Sequence, residues 1–227
     1  MIEKIASTES PQGREISFYR WKINDSLPNA FILGGFHGDE PEGVYAAEHF
    51  MQESFFKTSC AADFNVYFLP CLNPDGKAAK TRVNANKVDL NRNYPTKNFE
   101  KTAQPPGCSS ISAGTPASET ETRFMMGLVE KYSPARIISI HSDLHLTDYD
   151  GPARELALKT AEITGYRFVE NVGYPTTGSF GTWAGQERQI PLITLETPKA
   201  LTEEDFKRIY AEIRPALFNF IGVSQDF

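Results

Sequence analysis

The chain has 227 residues, 40% of them apolar and 23% charged, and carries a formal charge of −6. That length suits one large domain able to bury most of its apolar surface without staples. The acidic balance excludes a general nucleic-acid binder, whose phosphate contacts need a basic surface, and no stretch reaches the roughly 20 apolar residues of a membrane span.

In chain order, Glu15–Trp21 alternates behind a Pro11-Gln12-Gly13 turn and predicts a hairpin. Four short, continuous apolar runs predict buried strands: Ala30–Leu33, Val66–Leu69, Ile137–Ile140 and Ile190–Leu195. Pro41 sits where a helix begins, with Val44, Ala47, Met51 and Phe55 on one face. Pro95 to Ala117 is rich in Pro, Gly, Ser and Thr, shows no period, and reads as a functional flap. Ser118 with Glu121 reads as a capping box ahead of Phe124, Met125 and Leu128. Pro152 opens a further helix that Gly165 closes. Thr202 caps the last one, whose buried stripe is Phe206, Ile209, Ile213, Leu217 and Phe220. Strands alternating with helices predict an α/β fold, a single domain over residues 1–227 with helices on both faces of its sheet.

Met1 to Tyr19 lacks the apolar core of a signal peptide. Cys60, Cys71 and Cys108 are odd in number, lack metal-type spacing and read as free thiols in a reducing compartment.

The residues at the end of each apolar run carry the chemistry. After Phe31-Ile32-Leu33 comes Gly34-Gly35-Phe36-His37-Gly38-Asp39-Glu40; after Val66–Leu69, Asn73-Pro74-Asp75-Gly76; after Ile137–Ile140, His141-Ser142-Asp143; after Leu195, Glu196. In open α/β sheets ligands bind outside the carboxyl ends of the strands, so these four ends point at one crevice. His37 and Glu40 can reach one ion from a single turn, and His141 can add a third ligand from a neighbouring strand end. Two histidines and a carboxylate form a catalytic zinc set; the same set holds iron in oxygenases, and each histidine alone also fits a loop or core histidine with an ordinary partner. Glu196, ending an apolar run, is a carboxylate that burial makes costly unless it is paired or catalytic. As a general base it needs a pKa lifted towards neutrality. Arg82, Asn91 and Arg92 form an opposite pole, where a guanidinium can clamp a carboxylate through two parallel hydrogen bonds.

Together these residues, from His37 to Pro198, resemble the zinc carboxypeptidase family, the M14 peptidases. The resemblance implies a mixed, mostly parallel sheet and one Zn²⁺ per chain on His37, Glu40 and His141. It implies Glu196 as general base, Arg82 polarising the scissile carbonyl, and Asn91 with Arg92 gripping the substrate's terminal carboxylate. Tyr174 is the candidate for the family's mobile active-site tyrosine. Asn84-Ala85-Asn86-Lys87-Val88-Asp89-Leu90-Asn91-Arg92-Asn93 and Gly178-Ser179-Phe180-Gly181-Thr182-Trp183 look more narrowly like the family's murein peptide amidases, which cut between γ-D-glutamate and meso-diaminopimelate. That implies a small murein tripeptide as the partner, with no nucleic acid or membrane, and a cytoplasmic recycling role. Diaminopimelate ends in an ammonium and a carboxylate, so its pocket needs an acid and a donor; Asp143, Asp148 and Asp150 are the acids best placed in sequence.

Three other functions compete. A general carboxypeptidase acting on peptide C-termini shares every site residue. A deacylase of the aspartoacylase or succinylglutamate desuccinylase type shares the zinc site, but the Asn73–Gly76 turn and the Asp89–Asn93 run weigh against it. A non-catalytic binding module typically loses the glutamate or a ligand, and here all are kept. His145 reads as a surface residue.

Overall fold

The four apolar runs form adjacent strands of one sheet in the computed structural model, which describes residues 1–58, 62–99, 112–174 and 176–223. The hairpin comes first: β1 (Glu3–Glu9) and β2 (Glu15–Trp21) pair antiparallel. Next come β3 (Asn29–Gly34), α1 (Pro41–Met51), the single turn α2 (Phe55–Thr58), β4 (Asn65–Leu69) and α3 (Pro74–Ala79). A 3₁₀ turn over Leu90–Arg92 and α4 (Thr120–Tyr132) lead to β5 (Arg136–Ser142) and β6 (Leu146–Asp150). The chain continues through α5 (Arg154–Thr164), β7 (Arg167–Phe168), a π-helical turn over Gly181–Gln186, β8 (Leu192–Thr197) and α6 (Glu203–Phe220).

Among the described residues the sheet order is β1-β2-β4-β3-β5-β8-β6-β7. The centre, β4-β3-β5-β8, is parallel, and β2 and β6 join it antiparallel on either side. Both faces are covered, which explains why the central strands read as continuous apolar runs rather than alternating ones. One face packs Ala47 and Phe50 of α1, Ala157 of α5 and Ile213, Leu217 and Phe220 of α6 against Ile32, Phe68, Ile138 and Leu195. The other packs Met125, Leu128 and Val129 of α4, with Phe180 and Trp183, against Phe31, Leu33, Tyr67 and Ile137. The molecule is thus a single α/β domain with a mixed, mostly parallel sheet.

Several local expectations change. Helix α1 ends at Met51 and turns Phe50 into the core, so Phe55 belongs to α2 instead. The Ser118–Glu121 capping box does not form: Ser118 Oγ donates to Glu119 Oε1, and Glu121 accepts from Asn84 Nδ2, tying the start of α4 to the Arg82–Asp89 segment. Helix α5 begins two residues after Pro152 and β8 two residues after Ile190. Gly165 closes α5 in the left-handed region, and Thr202 with Asp205 forms a full capping box on α6. Most of the flap (100–111), with Cys108, and also Cys60 lie outside the described residues. Cys71 is a free thiol that burial pushes up to about 11.

Candidate active site

Strand β3 lies between β4 and β5, so the chain leaving the sheet's centre turns to opposite sides, and the carboxyl ends of β3 and β5 open a crevice between them. His37 and Glu40 follow β3; His141 lies at the end of β5, in register with Glu196 of β8. The loop from Gly34 to Glu40 is held by the turn after β4. Leu72 N donates to Gly34 O at 3.2 Å and Asn73 N to Gly35 O at 2.8 Å. The Asn73 carboxamide donates to Phe36 O and Arg82 O, both at 3.3 Å, while its Oδ1 accepts from Gly76 N and caps α3. Gly38 lies against Gly76 so closely that a Cβ on it would fall 1.9 Å from the Gly76 carbonyl carbon. The Asn73-Pro74-Asp75-Gly76 turn is therefore the mould for the His37 loop.

Both imidazoles turn Nδ1 to one carboxylate: His37 Nδ1 is 2.7 Å from Glu40 Oε1, and His141 Nδ1 is 2.9 Å from Glu40 Oε2. The far nitrogens are also engaged, His37 Nε2 with Asp89 Oδ1 at 3.2 Å and His141 Nε2 with Ser139 Oγ at 2.8 Å. Such outer contacts fix tautomer and ring orientation in metal sites. All three residues are buried, and one donor atom from each lies within 4.8 Å of the others. Burial alone would lower the pKa of His37, but the Glu40 and Asp89 carboxylates overcome it and raise it to about 9. Burial works to raise Glu40, yet its two histidines hold it well below the usual carboxylate range. Burial lowers His141 against the hydrogen bond to Glu40. A cup that keeps a proton on a buried imidazole is one that favours a cation, and its two nitrogens and carboxylate fit zinc.

Beside this cup opens a cavity of about 350 Å³ lined by His37, Glu40, Arg82, Asn91, Arg92, Tyr174 and Glu196, among others. Arg82 donates from Nε to Asp89 Oδ2 at 2.9 Å and from Nη1 to Glu40 Oε1 at 3.3 Å. Arg92 is 3% exposed; its Nη1 donates to Asn91 O at 2.7 Å, and its Nε has no hydrogen-bond partner among the described residues. Asn91 Oδ1 accepts from Phe180 N at 2.9 Å, which leaves the amide NH₂ as its remaining donor. Burial first, and then the Glu40 charge, push the Glu196 carboxyl up to about 8, and its buried Oε2 has no hydrogen-bond partner among the described residues. The Tyr174 hydroxyl is raised by burial and lies within the fields of Arg92 and Glu196.

The structure thus brings all eight expected site residues together, His141 through its contact with Glu40. His145 is exposed and meets Tyr166 edge-on at 4.4 Å, while Asp143 is exposed on the cavity wall. Sequence reasoning missed Asp89 as the shared partner of His37 and Arg82, and Ser139 behind His141. Ser139 was findable, because it stands two residues before His141 on a strand and so shares its face. It also missed Glu42, buried on α1, which accepts from Ser142 Oγ at 2.8 Å and Ala200 N at 2.7 Å and so ties the end of β5 to the segment after β8.

The zinc carboxypeptidase family model matches residues 1–212. Murein peptide amidase A of Escherichia coli (strain K12) is 31% identical over 188 residues, covering 79% of this chain and 75% of that protein. The protein of the same name from Vibrio campbellii is 32% identical over 183 residues, covering 77% and 71%. The crystal structure of the murein-tripeptide amidase from Escherichia coli O157 superposes with a TM-score of 0.78 at 26% identity, over 99% of this chain and 93% of that one.

Proposed function

Because the chain belongs to the zinc carboxypeptidase family and is a zinc-dependent hydrolase, we propose that it removes meso-diaminopimelate from the free murein tripeptide L-Ala-γ-D-Glu-meso-diaminopimelate by cleaving the γ-D-Glu–diaminopimelate amide. The observation that carries the reading is Arg92, a buried guanidinium with no ion pair among the described residues, beside the free amide of Asn91 in the catalytic cavity. A buried, unpaired cation is costly, and a substrate carboxylate relieves that cost. The likeness to two murein peptide amidases supports the choice of peptide.

With the terminal carboxylate on Arg92 and Asn91, the preceding amide lies towards Arg82 and Glu196 across the cavity. Zinc held by His37, Glu40 and His141 would supply a Lewis acid and would make water more acidic. Glu196 takes a proton from the attacking water and returns it to the leaving amine, a task that suits a carboxyl raised by burial. Arg82, fixed by Asp89 and Glu40, donates to the oxygen on which negative charge develops. Tyr174 forms part of the wall over the bound peptide. The work is cytoplasmic, on peptides recovered from the wall, and the free Cys71 thiol suits a reducing compartment.

The test is incubation with the tripeptide and with ordinary α-linked dipeptides, followed by mass spectrometry. Release of free diaminopimelate well ahead of leucine or phenylalanine is expected. Equal turnover of leucine- or phenylalanine-terminated dipeptides would make this an ordinary carboxypeptidase.

A further inference from the structure

Glu42 stands in the first turn of α1, two residues after Glu40, and is 1% exposed. It lies behind the catalytic cavity, whose wall includes Ser142 but not Glu42. Its carboxylate is bonded to two other segments: Oε2 accepts from Ser142 Oγ at 2.8 Å and Oε1 from Ala200 N at 2.7 Å. Ser142 follows His141, and Ala200 comes four residues after Glu196. Ser142 also donates its backbone N–H to Glu40 Oε2 at 3.4 Å, so one residue is tied at once to Glu40 and to Glu42. Helix α1 comes this close because of Gly43, where a Cβ would fall 2.3 Å from Ile140 O on β5.

The β5–β8 ladder spaces His141 from Glu196 and ends at the pair Ser142 and Thr197. Glu40 stands outside that ladder, between the end of β3 and the start of α1. The Asn73–Gly76 turn braces this loop from the β4 side. Glu42 braces it from the other side, against the ends of β5 and β8. Burying a carboxylate is costly, and an apolar side chain of that size would fill the space without the cost. What the carboxylate adds is direction, because two hydrogen bonds fix where both neighbouring segments stand. Lys199 offsets part of the charge from 3.9 Å, and its Nζ donates to Asp39 O on the same loop as His37 and Glu40. The segment after β8 is thereby pinned to both ends of the Asp39–Glu42 stretch.

We infer that Glu42 is a positioning residue: through Ser142 and Ala200 it sets Glu40 against His141 and Glu196, so that the metal-ligand set and the proton-transferring carboxyl share one frame. The assignment rests on the roles proposed above for those residues. From behind the wall Glu42 touches neither substrate nor metal, and the role requires hydrogen-bond reach rather than charge. Glutamine keeps that reach, since its carbonyl can accept from Ala200 N while its NH₂ donates to Ser142 Oγ. Alanine keeps neither bond.

The test compares full-length wild type, Glu42→Gln and Glu42→Ala, each shown by circular dichroism to be folded at the assay temperature. It reads the visible spectrum of the cobalt(II)-substituted protein, and kcat and KM of the zinc enzyme on the tripeptide. Glu42→Ala should shift the cobalt spectrum and lower kcat by about 10–100-fold with KM little changed, the usual cost of losing a group that orients metal ligands. Glu42→Gln should restore both spectrum and kcat to near wild type. A wild-type spectrum and kcat in Glu42→Ala, even with a lower melting temperature, overturns the assignment and leaves a structural role alone. Damage in Glu42→Gln equal to that in Glu42→Ala overturns it too. If Glu42→Ala does not fold, Glu42→Asp decides, because it keeps the charge but is one methylene too short to span both partners. A shifted cobalt spectrum in that variant supports the assignment, and an unchanged one overturns it. Failure of wild type to cleave the tripeptide would sink the murein reading alone; the cobalt spectra need no substrate and still decide the role of Glu42.

Discussion

His141 and Glu196 are register partners on the adjacent parallel strands β5 and β8. Neighbouring strands run about 4.8 Å apart, so a ladder of backbone hydrogen bonds sets the distance between the imidazole proposed to hold the metal and the carboxyl proposed to move protons. Loops carry the other two residues proposed as ligands, but this pair is fixed by strand pairing at the centre of the sheet. That placement makes the roles of the two residues separable by mutation.

His141→Ala should lose zinc and activity together while keeping the fold, because His37 and Glu40 alone leave an incomplete donor set and the strand pairing does not depend on the side chain. Metal analysis by plasma mass spectrometry, with circular dichroism alongside, reads both. Full zinc occupancy in the variant would place the metal elsewhere.

Glu196→Gln should keep zinc and bind substrate while turning over about 10²–10⁴-fold more slowly, the usual worth of a positioned acid–base group. Single-turnover kinetics with equilibrium binding on the same preparation separate the two effects. Near-normal turnover would assign the proton transfers to another group.

Arg92→Ala should raise KM with little change in kcat, since the terminal carboxylate is held alike in ground and transition states. Arg82→Ala should mainly lower kcat, because the charge it meets develops only during reaction. Steady-state kinetics on the tripeptide distinguish the patterns, and a reversal would exchange the two roles.

Asp148 gives a pH signature in the zinc-free protein. Its folded-state pKa is raised from 3.8 to about 7, so the unfolded chain loses this proton first as pH rises. The stability it contributes is fully present below its unfolded pKa and is lost as pH climbs through about 7. Asparagine has no such dependence. The melting temperature of Asp148→Asn relative to wild type should therefore climb between about pH 4 and pH 8, each ~1 kcal/mol being worth roughly 2–4 °C. A difference that stays flat across that range would show an aspartate that ionises freely.

Much of this site was legible because its groups sit where strands end. His37, Glu40, His141 and Glu196 each come after a continuous apolar run, and such runs are hard to mistake for anything but buried strands. The features that escaped were written in another pattern. Strand β6 reads Leu146-Thr147-Asp148-Tyr149-Asp150, with acids at alternate positions, because its inner face meets a cavity rather than a core. Hydrophobic alternation cannot announce a strand whose concealed side is polar. The Ser118–Glu121 capping signal misled for a related reason: Asn84, far away in sequence, claims Glu121, and long-range hydrogen bonds leave no local trace.

Asp89 is hydrogen-bonded at once to His37 Nε2 through Oδ1 and to Arg82 Nε through Oδ2. A single carboxylate therefore serves both the residue that would grip the metal and the one that would meet the developing charge. The two single variants at His37 and Arg82 are consequently poor measures of separate contributions, because each releases Asp89 to relax around the other. Their effects should not sum, and the shortfall, read from the double variant, is the coupling energy that Asp89 carries between ligand and electrophile.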